Sequence, residues 1–204
     1  MLYISHRVNQ TAKLADLPRE YGVELDLRDY GSRLVLQHDP YINDDAEDFE
    51  DYLQEYRHGL MIVNVKSERI EFKAAELLAK YGITNYFFLD SSFPMLRQLV
   101  ARGERRAAIR FSEFEPIEYA LAMAGQIDWV WVDCFTKLPL TPASHAALKK
   151  HFKLCLVSPE LQGRSADTIS SFAAEAAPYA IDAVCTKYPE RWRAALGNAG
   201  AKAA

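Results

Sequence analysis

The chain has 204 residues, half of them hydrophobic and a quarter charged, with a formal net charge of −4. That is an ordinary globular composition, long enough for one sizeable core, and its slight acidity excludes a chain-wide basic surface for nucleic acid. No apolar stretch approaches membrane-spanning length, and the opening MLYISHRV lacks the basic-then-apolar order of a signal peptide.

Taken in chain order, short apolar runs alternate with amphipathic stretches. LYISH comes first, then GVELDL. After a Tyr-Gly-Ser turn RLVLQH follows, reading as its hairpin partner and ending in His38. The acidic run from Asn43 to Asp51 reads as a solvated helix start, its acids at the positive end of the helix dipole. LMIVNVK precedes a helical pattern over Ile70 to Tyr81 that Gly82 closes, and NYFFLD precedes one over Pro94 to Arg102 that Gly103 closes. The runs AAIRF, IDWVWVD, KLCLVS and DAVCTKYP follow. Helical patterns stand after them at Pro116 to Ala124, Pro142 to Lys150 with Thr141 as N-cap, Ser165 to Ala176 and Glu190 to Leu196.

With RLVLQH set aside as a hairpin arm, eight strands alternate with helices. This predicts an α/β fold with a parallel sheet, specifically a small (β/α)8 TIM barrel forming one domain over residues 1–204, with a frayed tail at GNAGAKAA. A doubly wound open sheet is the alternative, but the Gly-rich phosphate loop such sheets often carry is missing. Cys134, Cys155 and Cys185 are widely spaced, with no Cys-x-x-Cys. They read as reduced, buried thiols, which implies a cytoplasmic protein.

Polar residues gather at the ends of the predicted strands, where a parallel barrel places its chemistry. Glu24 and Asp26 are two apart and point to one side, while Val23, Leu25 and Leu27 point to the other. Two inward carboxylates need compensation. A hard cation such as Mg²⁺ or Ca²⁺ supplies it, and so do buried cations such as Arg7 or Lys66. Asn64 and Lys66 form a second same-face pair, a neutral oxygen donor and a positive charge for an anion. His6 and His38 flank the carboxylates and fit a general acid and base on opposite sides of one bond. His58, His145 and His151 read as surface residues. Arg110 suits a second anionic group or a salt bridge to Asp90 or Asp133. Trp131 suits a sugar face or the core, and Lys187 suits phosphate or solvent.

In order along the chain, SHRV, ELD, HDP, NVK, LDSSFP and DAVCTKYPERW resemble the motifs of the glycerophosphodiester phosphodiesterase family. The resemblance covers nearly the whole chain. It implies a barrel and a metal-dependent attack on a small sugar- or glycerol-type phosphodiester, by hydrolysis or through a cyclic phosphate. Glu24, Asp26 and Asn64 would hold Mg²⁺ or Ca²⁺, with Mn²⁺ also suitable. By the same resemblance His6 and His38 would be the acid–base pair, with Arg7 and Lys66 on the phosphoryl oxygens; from their place at the strand ends, Arg110 is a further candidate for phosphate and Asp90, Trp131, Asp133 and Lys187 are candidate substrate contacts. Four departures stand out: Val8 where the family has Gly, Asn64 where it has a third acid, Lys187 where it has Asp, and no Glu-Asn segment between Val8 and Tyr21. A different class of function is a non-catalytic barrel that binds a phosphorylated ligand after decay of the metal site, which Asn64 favours. A Schiff-base enzyme using Lys66 is a third, which nearby carboxylates oppose.

Overall fold

A computed structural model describes residues 1–41 and 45–201 of the chain. The strands are β1 (Leu2–Ser5), β2 (Gly22–Tyr30), β3 (Arg33–Leu36), β4 (Glu47–Asp48), β5 (Met61–Val65), β6 (Tyr86–Leu89), β7 (Ala108–Phe111), β8 (Trp129–Val132), β9 (Lys153–Val157) and β10 (Ala183–Thr186). The helices are α1 (Thr11–Asp16), α2 (Phe49–Glu55), α3 (Glu71–Lys80), α4 (Phe93–Ala101), α5 (Ile117–Leu121), α6 (Pro142–Lys149), α7 (Ile169–Ala176) and α8 (Pro189–Ala201). Each predicted run became a strand because its β-branched and aromatic residues fit a buried pleated surface.

The chain forms two compact units, His6–Ala107 and Met1–Ser5 with Ala108–Ala204. In the first, β2 pairs in parallel with β5 through Val23–Leu27, and β5 pairs in parallel with β6. Beyond Leu27, β2 continues into an antiparallel hairpin with β3, and Gly31 takes the positive φ (60°) that a tight two-residue turn requires. Val23, Leu25 and Leu27 are fully buried on one face of β2, with Phe49, Tyr52, Ala74 and Leu78 among the buried helical residues of the unit. Each large apolar side chain buried in this way contributes about 1.5–3 kcal/mol. In the second unit β1, β10, β9, β8 and β7 form a parallel sheet in that order.

Several expectations change in detail. Helix α2 starts at Phe49, later in the acidic run than its composition suggests, because Glu47 and Asp48 first pair with β3 as β4; Asp48 then caps the helix by accepting from the Glu50 amide. Asn43 and Asp44 of that run lie outside the described residues, as do residues 202–204 of the expected frayed tail. The segment expected to be helical from Ser165 begins as a 3-10 turn over Ala166–Thr168. Helix α1 and a 3-10 turn at Pro159–Gln162 lacked a clear sequence period. The three cysteines are buried thiols, as expected. No helix among the described residues is long and apolar enough to cross a membrane.

Candidate active site

Alternation along β2 puts Glu24, Asp26 and Arg28 on one face, and the parallel register sets Asp26 beside Asn64 on β5. Glu24 and Asp26 are each only 1% exposed. Glu24 Oε1 accepts from Asn64 Nδ2 at 2.8 Å, and Oε2 accepts from the Arg7 amide at 2.8 Å. His6 Nε2 lies 3.7 Å from the same Oε2. Asp26 Oδ2 accepts from Asn9 Nδ2 at 2.9 Å, and the Asn9 side-chain oxygen accepts from the Asp26 amide at 2.8 Å. Arg7 Nε stands 3.5 Å from Asp26 Oδ2, and Lys66 Nζ stands 3.7 Å from Oδ1 and 3.5 Å from Asp90 Oδ2.

Two residues reach this cluster through left-handed backbone, Arg7 at φ 56° and Asp90 at φ 62°. Non-glycine residues held there cost on the order of 1–3 kcal/mol each and concentrate at functional sites. The turn after His6 is therefore made by Arg7 itself. Val8 keeps an ordinary φ, donates its amide to the Glu24 carbonyl at 2.9 Å and is buried, so the position needs no glycine.

Burial, followed by the neighbouring Asp26 charge, raises the Glu24 carboxyl to about 7; the bonds from Asn64 and the Arg7 amide and the charge of Lys66 oppose that rise. A proton or a further positive charge at this pair relieves the same strain. The donor chemistry fits a hard cation: two buried carboxylates and Asn64 Oδ1, a buried oxygen with no hydrogen-bond partner. The third donor is an amide; among the described residues no three His, Cys, Asp or Glu side chains are grouped to hold a metal. Arg7 and Lys66 also stand as the compensating cations that the sequence allowed.

His38 is two residues beyond β3 rather than at its end, because β3 closes at Leu36 while the chain bends toward Pro40. Its Nδ1 is 2.7 Å from Asp39 Oδ1, and this bond with the His38 charge, then Arg7 and Arg28, keeps the exposed Asp39 carboxyl below its ordinary range. Arg7, Asn9, Lys13, Gln37, His38 and Glu47 line a cleft of about 530 Å³. A cleft of about 610 Å³ elsewhere in this unit is lined by residues such as Arg57, His58 and Tyr81, with no carboxylate on its walls. His58 is half-buried with Nε2 at 3.0 Å from the Leu17 carbonyl, and His145 accepts from the Ala180 amide at 3.1 Å, so both are structural rather than simple surface residues; His151 is exposed.

Arg110, Trp131 and Asp133 come together in the second unit. Asp133, 2% exposed, accepts from Arg110 at 2.8 Å, Gln162 at 2.6 Å, the Cys134 amide at 2.9 Å and Trp131 Nε1 at 3.4 Å. Trp131 is buried, and Arg110 makes the salt bridge to Asp133 that the sequence offered as its alternative role. The Lys187 side chain is exposed, while its amide donates to Glu160 Oε1 at 2.9 Å. Glu160 is buried and also accepts from Ser158 and Thr186, which orders the ends of β9 and β10.

Sequence reasoning left Asn9 without a place, and it set Arg28 and Glu160 among the polar strand ends without a role. Asn9 lay in a segment without periodicity, and its only signal was closeness to His6 and Arg7. Arg28 did carry a signal, since it continues the Glu24–Asp26 spacing.

No protein-family model matches the sequence, and no curated protein matches it by sequence. Solved structures share the fold. A glycerophosphodiester phosphodiesterase from Agrobacterium tumefaciens superposes with a TM-score of 0.72 at 14% identity, over 94% of this chain and 99% of that chain. A second structure from the same organism, provisionally named a glycerophosphoryl diester phosphodiesterase, gives 0.72 and 14% over 98% of each chain. A glycerophosphoryl diester phosphodiesterase from Parabacteroides distasonis gives 0.68 at 12% identity, over 97% of this chain and 86% of that chain. The α/β fold is therefore that of solved glycerophosphodiester phosphodiesterase structures, as the motifs led one to expect.

Proposed function

We propose that this chain is a divergent glycerophosphodiester phosphodiesterase-like enzyme, built as one (β/α)8-type barrel domain, that cleaves a small sugar- or glycerol-type phosphodiester. The observation that carries the proposal is the cluster on β2 and β5: two buried carboxylates with His6 at 3.7 Å and two cations, Arg7 and Lys66, at 3.5 and 3.7 Å. The shared fold and the ordered motifs support it. Three buried thiols agree with a reducing, cytoplasmic compartment.

A phosphodiester gathers negative charge on its equatorial oxygens during cleavage. Arg7 and Lys66 are suited to those oxygens. Glu24, Asp26 and Asn64 are the residues that would hold Mg²⁺ or Ca²⁺, with Mn²⁺ as a substitute. Such an ion, when bound, neutralises phosphoryl charge without proton transfer. His6 and His38 divide the proton work: one takes the proton of the attacking hydroxyl or water, the other protonates the leaving alkoxide. Attack by water gives hydrolysis, and attack by a hydroxyl of the substrate gives a cyclic phosphate.

Calorimetric titration of Mg²⁺, Mn²⁺ and Ca²⁺ into wild type and Glu24→Ala, with bis(p-nitrophenyl) phosphate hydrolysis followed in parallel, tests the proposal. It expects saturable binding that the variant loses and turnover that depends on the ion. A specific observation favours a second possibility, a barrel that binds a phosphorylated ligand without cleaving it: Asn64 donates to Glu24, and Arg7, Asn9 and Lys66 already face the carboxylate oxygens. Tight binding of a phosphate ester with no turnover under any ion would select it.

A further inference from the structure

We propose that Arg28 is a positioning residue that ties the segment carrying His38 to the segment carrying Lys66; this rests on the phosphodiesterase reading of those two residues. Arg28 follows Glu24 and Asp26 on the same face of β2, so a strand holds its Cα in place. Its guanidinium donates Nε and Nη2 to the His38 carbonyl at 3.2 and 2.7 Å, and Nη1 to the Lys66 carbonyl at 2.9 Å. Both acceptors lie beyond regular strand, His38 after β3 and Lys66 after β5. One planar fork thus fixes two irregular segments that are separated by 28 positions in the chain.

The partners decide the role. Arg28 bonds neutral carbonyls, so it fixes backbone without neutralising either carboxylate of the site. Asp39, at 2.7 Å from His38 Nδ1, orients the imidazole ring. Arg28 sets where the His38 backbone stands and Asp39 sets how its ring turns. Lysine is a poor substitute, since an ammonium on a flexible stem lacks the rigid fork that spans two carbonyls. Misplacing a reacting group by about 1 Å costs about 100-fold in rate.

Arg28→Ala and Arg28→Lys test this in the full chain. The readouts are the carbonyl ¹³C shifts of His38 and Lys66, and kcat and KM on bis(p-nitrophenyl) phosphate. In Arg28→Ala both carbonyl shifts are expected to move together, with kcat falling about 100-fold and KM little changed. Added guanidinium should restore part of kcat, while Arg28→Lys should stay nearer to the alanine variant than to wild type. Unmoved carbonyl shifts, or unchanged kcat with only a lower Tm, would overturn the proposal. Absence of turnover in wild type would instead remove the phosphodiesterase reading, and the catalytic meaning of the clamp with it; the carbonyl shifts make the two failures distinguishable.

Discussion

Asn64 Nδ2 donates to Glu24 Oε1 at 2.8 Å while Asn64 Oδ1 is buried with no hydrogen-bond partner. The amide therefore does two things that a carboxylate in its place does not. It relieves part of the charge on Glu24, and it presents a neutral oxygen. Asn64→Asp replaces the donor with a third acid against Glu24. The metal-free variant should lose about 1–3 kcal/mol through the broken buried bond, and Mg²⁺ or Ca²⁺ should raise its Tm more than that of wild type. Thermal melts with and without the ions check this; an equal response in both proteins would count against Asn64 as a ligand.

His6 and His38 should each matter to rate far more than to folding, since both side chains reach solvent. Alanine at either position should lower kcat by about 10²–10⁴-fold, with circular dichroism unchanged. Asp39→Asn should lower it less, because the amide can still bond the His38 ring. Steady-state kinetics on an aryl phosphodiester measure all three.

Arg110→Ala leaves Asp133 buried with fewer donors. Gln162 and the Cys134 amide still serve it, and Arg110 is partly exposed, so the cost should be about 1–2 kcal/mol rather than that of a fully buried pair. Adding Asp133→Asn should recover part of that loss. A double-mutant cycle by urea denaturation reports the coupling. Additive effects would mean that the pair is not what holds Arg110.

Glu71, at the start of α3, is 1% exposed and its Oε2 has no hydrogen-bond partner. Burial raises its carboxyl above the ordinary value. The folded chain therefore holds this proton more tightly than the unfolded chain. The associated stability is full below the unfolded value and is lost as pH rises through the folded one. Glu71→Gln removes that loss, so the variant's Tm should gain on wild type as pH rises above the ordinary carboxylate range. Parallel Tm-against-pH curves for the two proteins would overturn this expectation.

Much of the fold was legible locally. Runs such as LMIVNVK and NYFFLD became strands because their residues suit a pleated, buried surface whatever lies across it. Pro142 after Thr141 and Pro94 after Ser92 started helices for reasons confined to one turn. The same-face placement of Glu24 and Asp26 followed from a period of two. The residues answering those carboxylates were a different matter. Asn9 meets Asp26 across 17 positions and Asn64 meets Glu24 across 40. Arg28 reaches His38 across 10 positions and Lys66 across 38. Periodicity gives the direction of a side chain but not its partner. By itself the sequence determined the order of the main strands and helices, though not α1 or β4, and which face each acid would take. Only the tertiary structure decided what compensates each buried charge, because a buried charge is answered by whichever donors the packed chain brings within a few ångströms, however distant they are along it.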